Sequence, residues 1–132
     1  MSAPSYRVTK RFCLSSLHFL HNPNYSEAEN RRVFGKCYRT HGHDFRIEVT
    51  IQGMPEKTSG WSIDRQKLEN IVNERIIIPY TGKKLNDFFP NPSGEGLSVA
   101  FYKILKEDLG DALYCVSIEE TPKNYFSYSE PK

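Results

Sequence analysis

Ten consecutive residues, His43 to Gln52, read HDFRIEVTIQ, and their alternation fits an extended strand with one buried face. Phe45, Ile47, Val49 and Ile51 point one way, while Arg46, Glu48 and Thr50 point the other, because neighbouring strand side chains leave opposite faces. A strand with one dry and one wet side belongs to an antiparallel sheet covered on a single face. The remaining sequence must therefore supply partner strands and a helical cover.

It supplies both. Tyr6 to Leu14 alternates, with Tyr6, Val8 and Phe12 on one face. Leu113 to Glu120 places Tyr114, Val116 and Ile118 on the face that also carries Glu120, and a short last strand is expected over Tyr125 to Tyr128. From Asn22 to Lys36 the composition turns polar, and Ser26 with Glu29 fits a capping box for one helical turn. Gly53 and Pro55 stop the His43 strand, and PEKTSGW is turn chemistry. Asp64 suits the N-cap of a helix with Leu68, Ile71, Val72, Arg75 and Ile76 on one side, ended by Pro79. A second helix should start near Asn91 to Ser93, with Pro92 in its first turn. Its stripe is Leu97, Ala100, Phe101, Ile104 and Leu105, and Gly110 is its C-cap. The order β-β-α-α-β-β predicts an α+β fold: a four-stranded antiparallel sheet with two helices on one face.

At 132 residues the chain has room for one core, so residues 1–132 are read as a single domain. A formal net charge of +2 gives no reason to expect a nucleic-acid or membrane partner. No apolar run approaches a bilayer span, and MSAPSYRVTK lacks the apolar core of a signal peptide. Three widely spaced cysteines do not form a disulfide framework, which points to the cytoplasm. Cys13 and Cys115 fall in alternating segments and are expected to be buried and inert.

Cys37 differs because of its neighbours, CYRTHGHDF. On a strand His41 and His43 point the same way and can reach one point in space. Gly42 between them permits close backbone approach. Two imidazoles suit Zn²⁺, and His18 could supply a third if the first two strands pair. Three protein ligands leave a fourth position for water or substrate, as in catalytic zinc sites. Cys37, His41 and His43 form a competing ligand set, and spacing does not separate a ligating thiolate from a nearby base. An isolated H-x-H also occurs as a plain polar strand end.

The segments SSLH, FGKCYRTHGHDF, GWSID, KLND, NPSGE and EET, in this order, together resemble the 6-pyruvoyltetrahydropterin synthase / 6-carboxytetrahydropterin synthase family, which has the tunnelling fold. The resemblance implies zinc ligands His18, His41 and His43 and a proton-transferring thiol at Cys37. It implies a pterin anchor at Glu120, with Thr121 beside it. A Lewis-acidic zinc would polarise the substrate side chain, and a thiol near a cation can take up the adjacent proton. A carboxylate can accept two parallel hydrogen bonds from a pterin amino group and ring N–H. In this family an Asp-His pair normally stands four and three residues before the leucine of LND. Here those positions are Thr81 and Gly82, and no histidine follows His43. His21 is the one histidine free to take over proton transfer, and Arg39, Lys83 and Lys84 are candidates for gripping phosphates.

The spacing C-x-x-x-H-G-H is similar to that of the bacterial carboxytetrahydropterin synthases of the queuosine route. The resemblance therefore implies a zinc-dependent lyase converting 7,8-dihydroneopterin triphosphate to 6-carboxytetrahydropterin, with acetaldehyde and triphosphate released. The alternatives are a 6-pyruvoyltetrahydropterin synthase, an aldolase-like activity on a dihydropterin side chain, and a non-catalytic zinc-containing pterin binder. Assembly is implied as well: trimers whose sheets join into a barrel, two of them stacking as a homohexamer with sites between subunits. The two open edges of a four-stranded sheet agree with this.

Overall fold

The computed structural model describes residues 5–53 and 65–131. Strands β1 (Tyr6–His18), β2 (His41–Gly53), β3 (Leu113–Thr121) and β4 (Asn124–Tyr128) form one antiparallel sheet in the order β1-β2-β3-β4. Helix α1 (Glu27–Phe34) and a 3₁₀ turn (Gly35–Tyr38) join β1 to β2. Helix α2 (Arg65–Val72), a π turn (Asn73–Ile77), the short α3 (Ile78–Tyr80) and the long α4 (Gly94–Leu109) lie between β2 and β3. The expected architecture is present, with α1 longer than the single turn that its cap suggested. Ser26 does cap it, accepting a hydrogen bond from the Glu29 backbone N–H at 3.1 Å.

The core lies between the sheet and helices α2 and α4. Leu14, Phe45, Ile47, Val49, Ile51, Val116 and Ile118 from the sheet meet Leu68, Val72, Ile76, Leu97, Phe101 and Leu105 from the helices. The outer face is polar, with Arg11 3.5 Å from Glu48 and Thr9 bonded to Thr50 at 2.8 Å. Cys13 is exposed on this face, contrary to the expected burial, because Phe12 and Leu14 take the inward positions beside it. Cys115 is half-buried on the same outward parity, 3.6 Å from the Ser117 hydroxyl.

Three local departures from the sequence pattern have physical causes. A register shift between Thr50 and Ile51 sets Leu113, rather than Tyr114, opposite Ile51. Leu113 is therefore buried, and Tyr114 lies beneath the Arg7 guanidinium at 3.8 Å instead of sharing the core face. Pro79 does not stop its helix, which continues to Tyr80. The π turn restarts the helical register, so the proline falls in the first turn of α3. Pro92 precedes α4 rather than entering it, since Ser93 is the N-cap and accepts from the Gly96 N–H at 3.1 Å. At the other end of α4, Gly110 adopts φ +58 and returns its N–H to the Lys106 carbonyl, as expected of a glycine cap. The expected Asp64 cap, the PEKTSGW turn and the GWSID segment lie outside the described residues.

Gly94, the first residue of α4, sets where that helix meets the sheet. A Cβ here would overlap the Phe126 ring on β4, so only glycine allows the two elements this close. The contact brings the start of α4 against the β3–β4 end of the sheet. That end carries the functional residues.

Candidate metal centre and active site

Strand β1 runs four residues beyond the expected Leu14 and ends at His18, not before it. Its inward positions change there from Leu14 to Ser16 and His18, so apolar alternation fades while strand pairing continues. Antiparallel register sets His18 opposite His41 and Ser16 opposite His43. Cross-strand neighbours on one face lie a few ångströms apart. The three ring centroids are accordingly 4.5 Å (His18–His41), 5.0 Å (His18–His43) and 4.8 Å (His41–His43) apart.

The segment after α3 locks His18 in place. Leu17 donates its N–H to the Lys83 carbonyl at 2.9 Å, and Gly82 donates to the Ser15 carbonyl at 2.8 Å. Asn86 then clamps Phe19, accepting its backbone N–H at 2.8 Å and donating to its carbonyl at 2.9 Å. These contacts give KLND a structural task next to the buried His18.

Glu120 completes the cluster. It follows the last β2–β3 pair, shares the inward parity of Val116 and Ile118, and brings Oε1 within 3.3 Å of Nε2 of both His18 and His43. One ligand atom from each of His18, His41, His43 and Glu120 lies within 4.8 Å of all the others. The family resemblance implies Glu120 only as a pterin anchor. Its parity with Ile118 was the available signal that it shares the histidine face.

The donor set fits a metal on three grounds. First, the Nδ1 atoms of His18 and His41 sit 2.7 Å and 2.6 Å from the backbone carbonyls of Pro92 and Arg39. A carbonyl carries no proton, so both Nδ1 atoms donate, which leaves each Nε2 as the atom that can offer a lone pair to a metal, as hydrogen bonds behind metal-binding histidines do. Second, His18 Nε2 is fully buried with no hydrogen-bond partner, facing a carboxylate oxygen that is also an electron-pair donor. A cation between them resolves that opposition. Third, a tetrahedral zinc with bonds of about 2.0–2.1 Å has ligand–ligand edges of about 3.3–3.4 Å, which the two Glu120 contacts match.

Charge states agree with ligation. Burial holds the His43 pKa below its ordinary value, aided by the neighbouring imidazoles and opposed by Glu120, which favours the neutral, ligating ring.

A cleft of about 510 Å³ opens over this cluster, lined by Cys37, His41, His43, Glu120 and Thr121 together with Ser93, Glu95 and Phe126. Cys37 reaches it from the 3₁₀ turn, which is pinned by a 2.6 Å hydrogen bond from the Leu20 N–H to the Cys37 carbonyl. The cluster includes His18 and Glu120 but not Cys37, so among the described residues the competing set with a ligating thiolate is not assembled. A neighbouring basic cleft of about 770 Å³ shares His41 and is lined by Arg31, Lys36, Tyr38 and Arg39.

The other candidates lie elsewhere. His21 packs on the Phe19 ring at 5.0 Å and is not among the residues lining the 510 Å³ cleft. Lys84 stands over the Phe19 ring, 4.9 Å from its centroid, and Lys83 is exposed. The Thr81 hydroxyl donates to the Ile77 carbonyl at 2.5 Å, and Gly82 adopts φ +73 against β1. Neither offers a base.

Fold and site together define an α+β protein with a three-histidine, one-carboxylate centre at the mouth of a ligand-sized cleft. Residues 7–131 match the family model described as 6-pyruvoyl tetrahydropterin synthase, and the chain belongs to that family of lyases. A Drosophila melanogaster protein named 6-pyruvoyl tetrahydrobiopterin synthase is 34% identical over 133 residues, 94% of this chain and 79% of its own length. An Archaeoglobus fulgidus protein named putative 6-carboxy-5,6,7,8-tetrahydropterin synthase is 31% identical over 84 residues, 64% of this chain and 71% of its own. The solved structure of Caenorhabditis elegans 6-pyruvoyl tetrahydropterin synthase superposes with a TM-score of 0.90 at 31% identity, covering 97% of both chains. No helix among the described residues is long and apolar enough to cross a membrane.

Proposed function

We propose that the protein is a zinc-dependent lyase acting on 7,8-dihydroneopterin triphosphate, with 6-pyruvoyltetrahydropterin as its product. One observation carries this: a single cleft of about 510 Å³, within the size range of small-molecule sites, joins Cys37, two of the three ligand histidines, Glu120 and Thr121. The 34% identity to a 6-pyruvoyl synthase over nearly the whole chain moves the first reading from the carboxy to the pyruvoyl product. The short C-x-x-x-H-G-H spacing still favours 6-carboxytetrahydropterin as the second reading.

His18, His41 and His43 would hold the zinc, which would supply Lewis acidity toward the hydroxyls of the substrate side chain. Cys37, on the same wall as His41 and His43, takes the proton from the adjacent side-chain carbon. Glu120 accepts two hydrogen bonds from the pterin amino group and ring N–H, with Thr121 beside it. Lys36 and Arg39 in the adjoining basic cleft hold the triphosphate, a placement that Lys83 and Lys84 do not share. The open edges of β1 and β4 fit the barrel-forming trimers, and the homohexamer, of this reading.

The test is incubation of zinc-replete protein with 7,8-dihydroneopterin triphosphate and mass analysis of the pterin product. A product that keeps all three side-chain carbons is expected. Loss of two carbons as acetaldehyde would establish the second reading, and unchanged substrate would leave a binder without turnover.

A further inference from the structure

We infer that Ser16 is a positioning residue of the metal centre, its buried hydroxyl accepting the Nδ1–H of His43 when the three rings hold an ion. This rests on the metal centre of the proposed function and is independent of the pterin. A neutral histidine that binds a metal through Nε2 carries its one proton on Nδ1, and that proton needs an acceptor. His18 and His41 find theirs in the Pro92 and Arg39 carbonyls. Among the described residues no hydrogen bond is made to Nδ1 of His43, whose Nε2 is the nitrogen that faces the cluster. Three ligands thus show two acceptors.

Ser16 supplies the third. It is 4% exposed, and among the described residues its Oγ and His18 Nε2 are the buried side-chain nitrogen and oxygen atoms without a hydrogen-bond partner. A buried hydroxyl left in this way is costly, so it too points to a partner. Ser16 stands opposite His43 in the β1–β2 register, on the inward face. The Ser15 carbonyl and the Leu17 N–H are bonded to Gly82 and Lys83, so β1 turns the backbone groups of Ser16 toward β2. Ser16 and His43 therefore exchange both backbone bonds, which holds their Cα atoms about 5.5 Å apart. Side chains of such a pair lie next to each other. Nδ1 is the ring nitrogen nearer the backbone, within reach of a hydroxyl that need only turn about its Cα–Cβ bond. Ser15 makes the contrast: it faces outward and gives its hydroxyl to Asp44 at 2.6 Å. The hydroxyl left over on β1 is the one beside the histidines.

Cobalt in place of zinc moves the ring N–H protons of its ligands far from all other proton resonances, one for each histidine. Wild-type protein loaded with Co²⁺ should show three such signals. Ser16→Ala should keep those of His18 and His41 and lose that of His43, whose proton then exchanges with water. Co²⁺ should bind the variant about tenfold or more weakly. Without metal, Ser16→Ala should be at least as stable as the wild type in urea, because it removes a hydroxyl that has no partner there. A serine with a merely structural role would move stability the other way, so a variant already destabilised without metal would overturn the inference. Three unchanged signals in Ser16→Ala, or a Co²⁺ affinity within about twofold of wild type, would overturn it as well. A wild type that gives all three signals but binds no pterin leaves Ser16 in its role and removes the proposed function. Protein that binds no Co²⁺ removes both.

Discussion

Cys37→Ser should lower kcat by about 10² to 10⁴, the usual worth of a positioned proton-transfer group, while zinc content and thermal stability stay at wild-type levels. That loss corresponds to about 3–5 kcal/mol of transition-state stabilisation. The separation of activity from stability follows from how the residue is held. The backbone of the Gly35–Tyr38 turn is fixed by the Leu20 N–H on the Cys37 carbonyl, a bond that serine keeps. The side chain faces the cleft beside His41 and His43 without joining the metal cluster. Serine is nearly isosteric, yet its hydroxyl is far harder to ionise than a thiol, so the proton acceptor is lost and little else changes. Steady-state kinetics with parallel zinc analysis checks this. Turnover within a few-fold of wild type would remove the thiol from the chemistry, and a fall in zinc content would make Cys37 a ligand after all.

His18→Ala should have the largest effect on the fold. The ring is completely buried between β1, β2 and the loop before α4, and its Nδ1–H satisfies the Pro92 carbonyl. Truncation leaves a cavity and an unpaired buried acceptor, for a loss of about 2–4 kcal/mol in metal-free protein. Zinc then separates the two proteins further. At free zinc a thousandfold above its Kd, the wild type should gain about 4 kcal/mol, because the ion binds the folded state and not the unfolded one. The variant, with two imidazoles and a carboxylate remaining, should gain much less. Urea titrations with and without a chelator measure both parts. A variant that zinc stabilises as strongly as the wild type would show that His18 is not a ligand.

How much of this was legible in the sequence depended on whether apolar residues did the packing. The alternation over β2 and the stripe of Leu97, Phe101 and Leu105 located a strand and a helix because solvent and core sort those side chains. Asn91 to Ser93 and Gly110 marked the ends of α4 through cap chemistry that is local in sequence. The reading failed where polar groups occupy the inside. The apolar pattern of β1 stops at Leu14 because Ser16 and His18, which face inward beyond it, do not read as core. The same polar ending of β1 hides the site, since His18 meets His41 only through a register that no local pattern encodes.

Long-range consequences were lost in the same way. The bulge that substitutes Leu113 for Tyr114 depends on the pairing of β2 with β3, and continuation through Pro79 depends on a π turn that ends two residues earlier. Resemblance links Glu120 only to the pterin, and its approach to His18 depends on β1 and β3 both flanking β2. The family was legible from spaced motifs, whose histidine, cysteine and turn residues stand in a set order along the chain. What those motifs do to one another required the fold.

The most direct measurement of the central claim is diffraction from crystals of the zinc-loaded protein on either side of the zinc absorption edge. One anomalous peak per chain is predicted, about 2.0–2.1 Å from a nitrogen of each of His18, His41 and His43. An intact triad of rings with no peak between them, or a peak held by the Cys37 sulfur in place of His18, would contradict it.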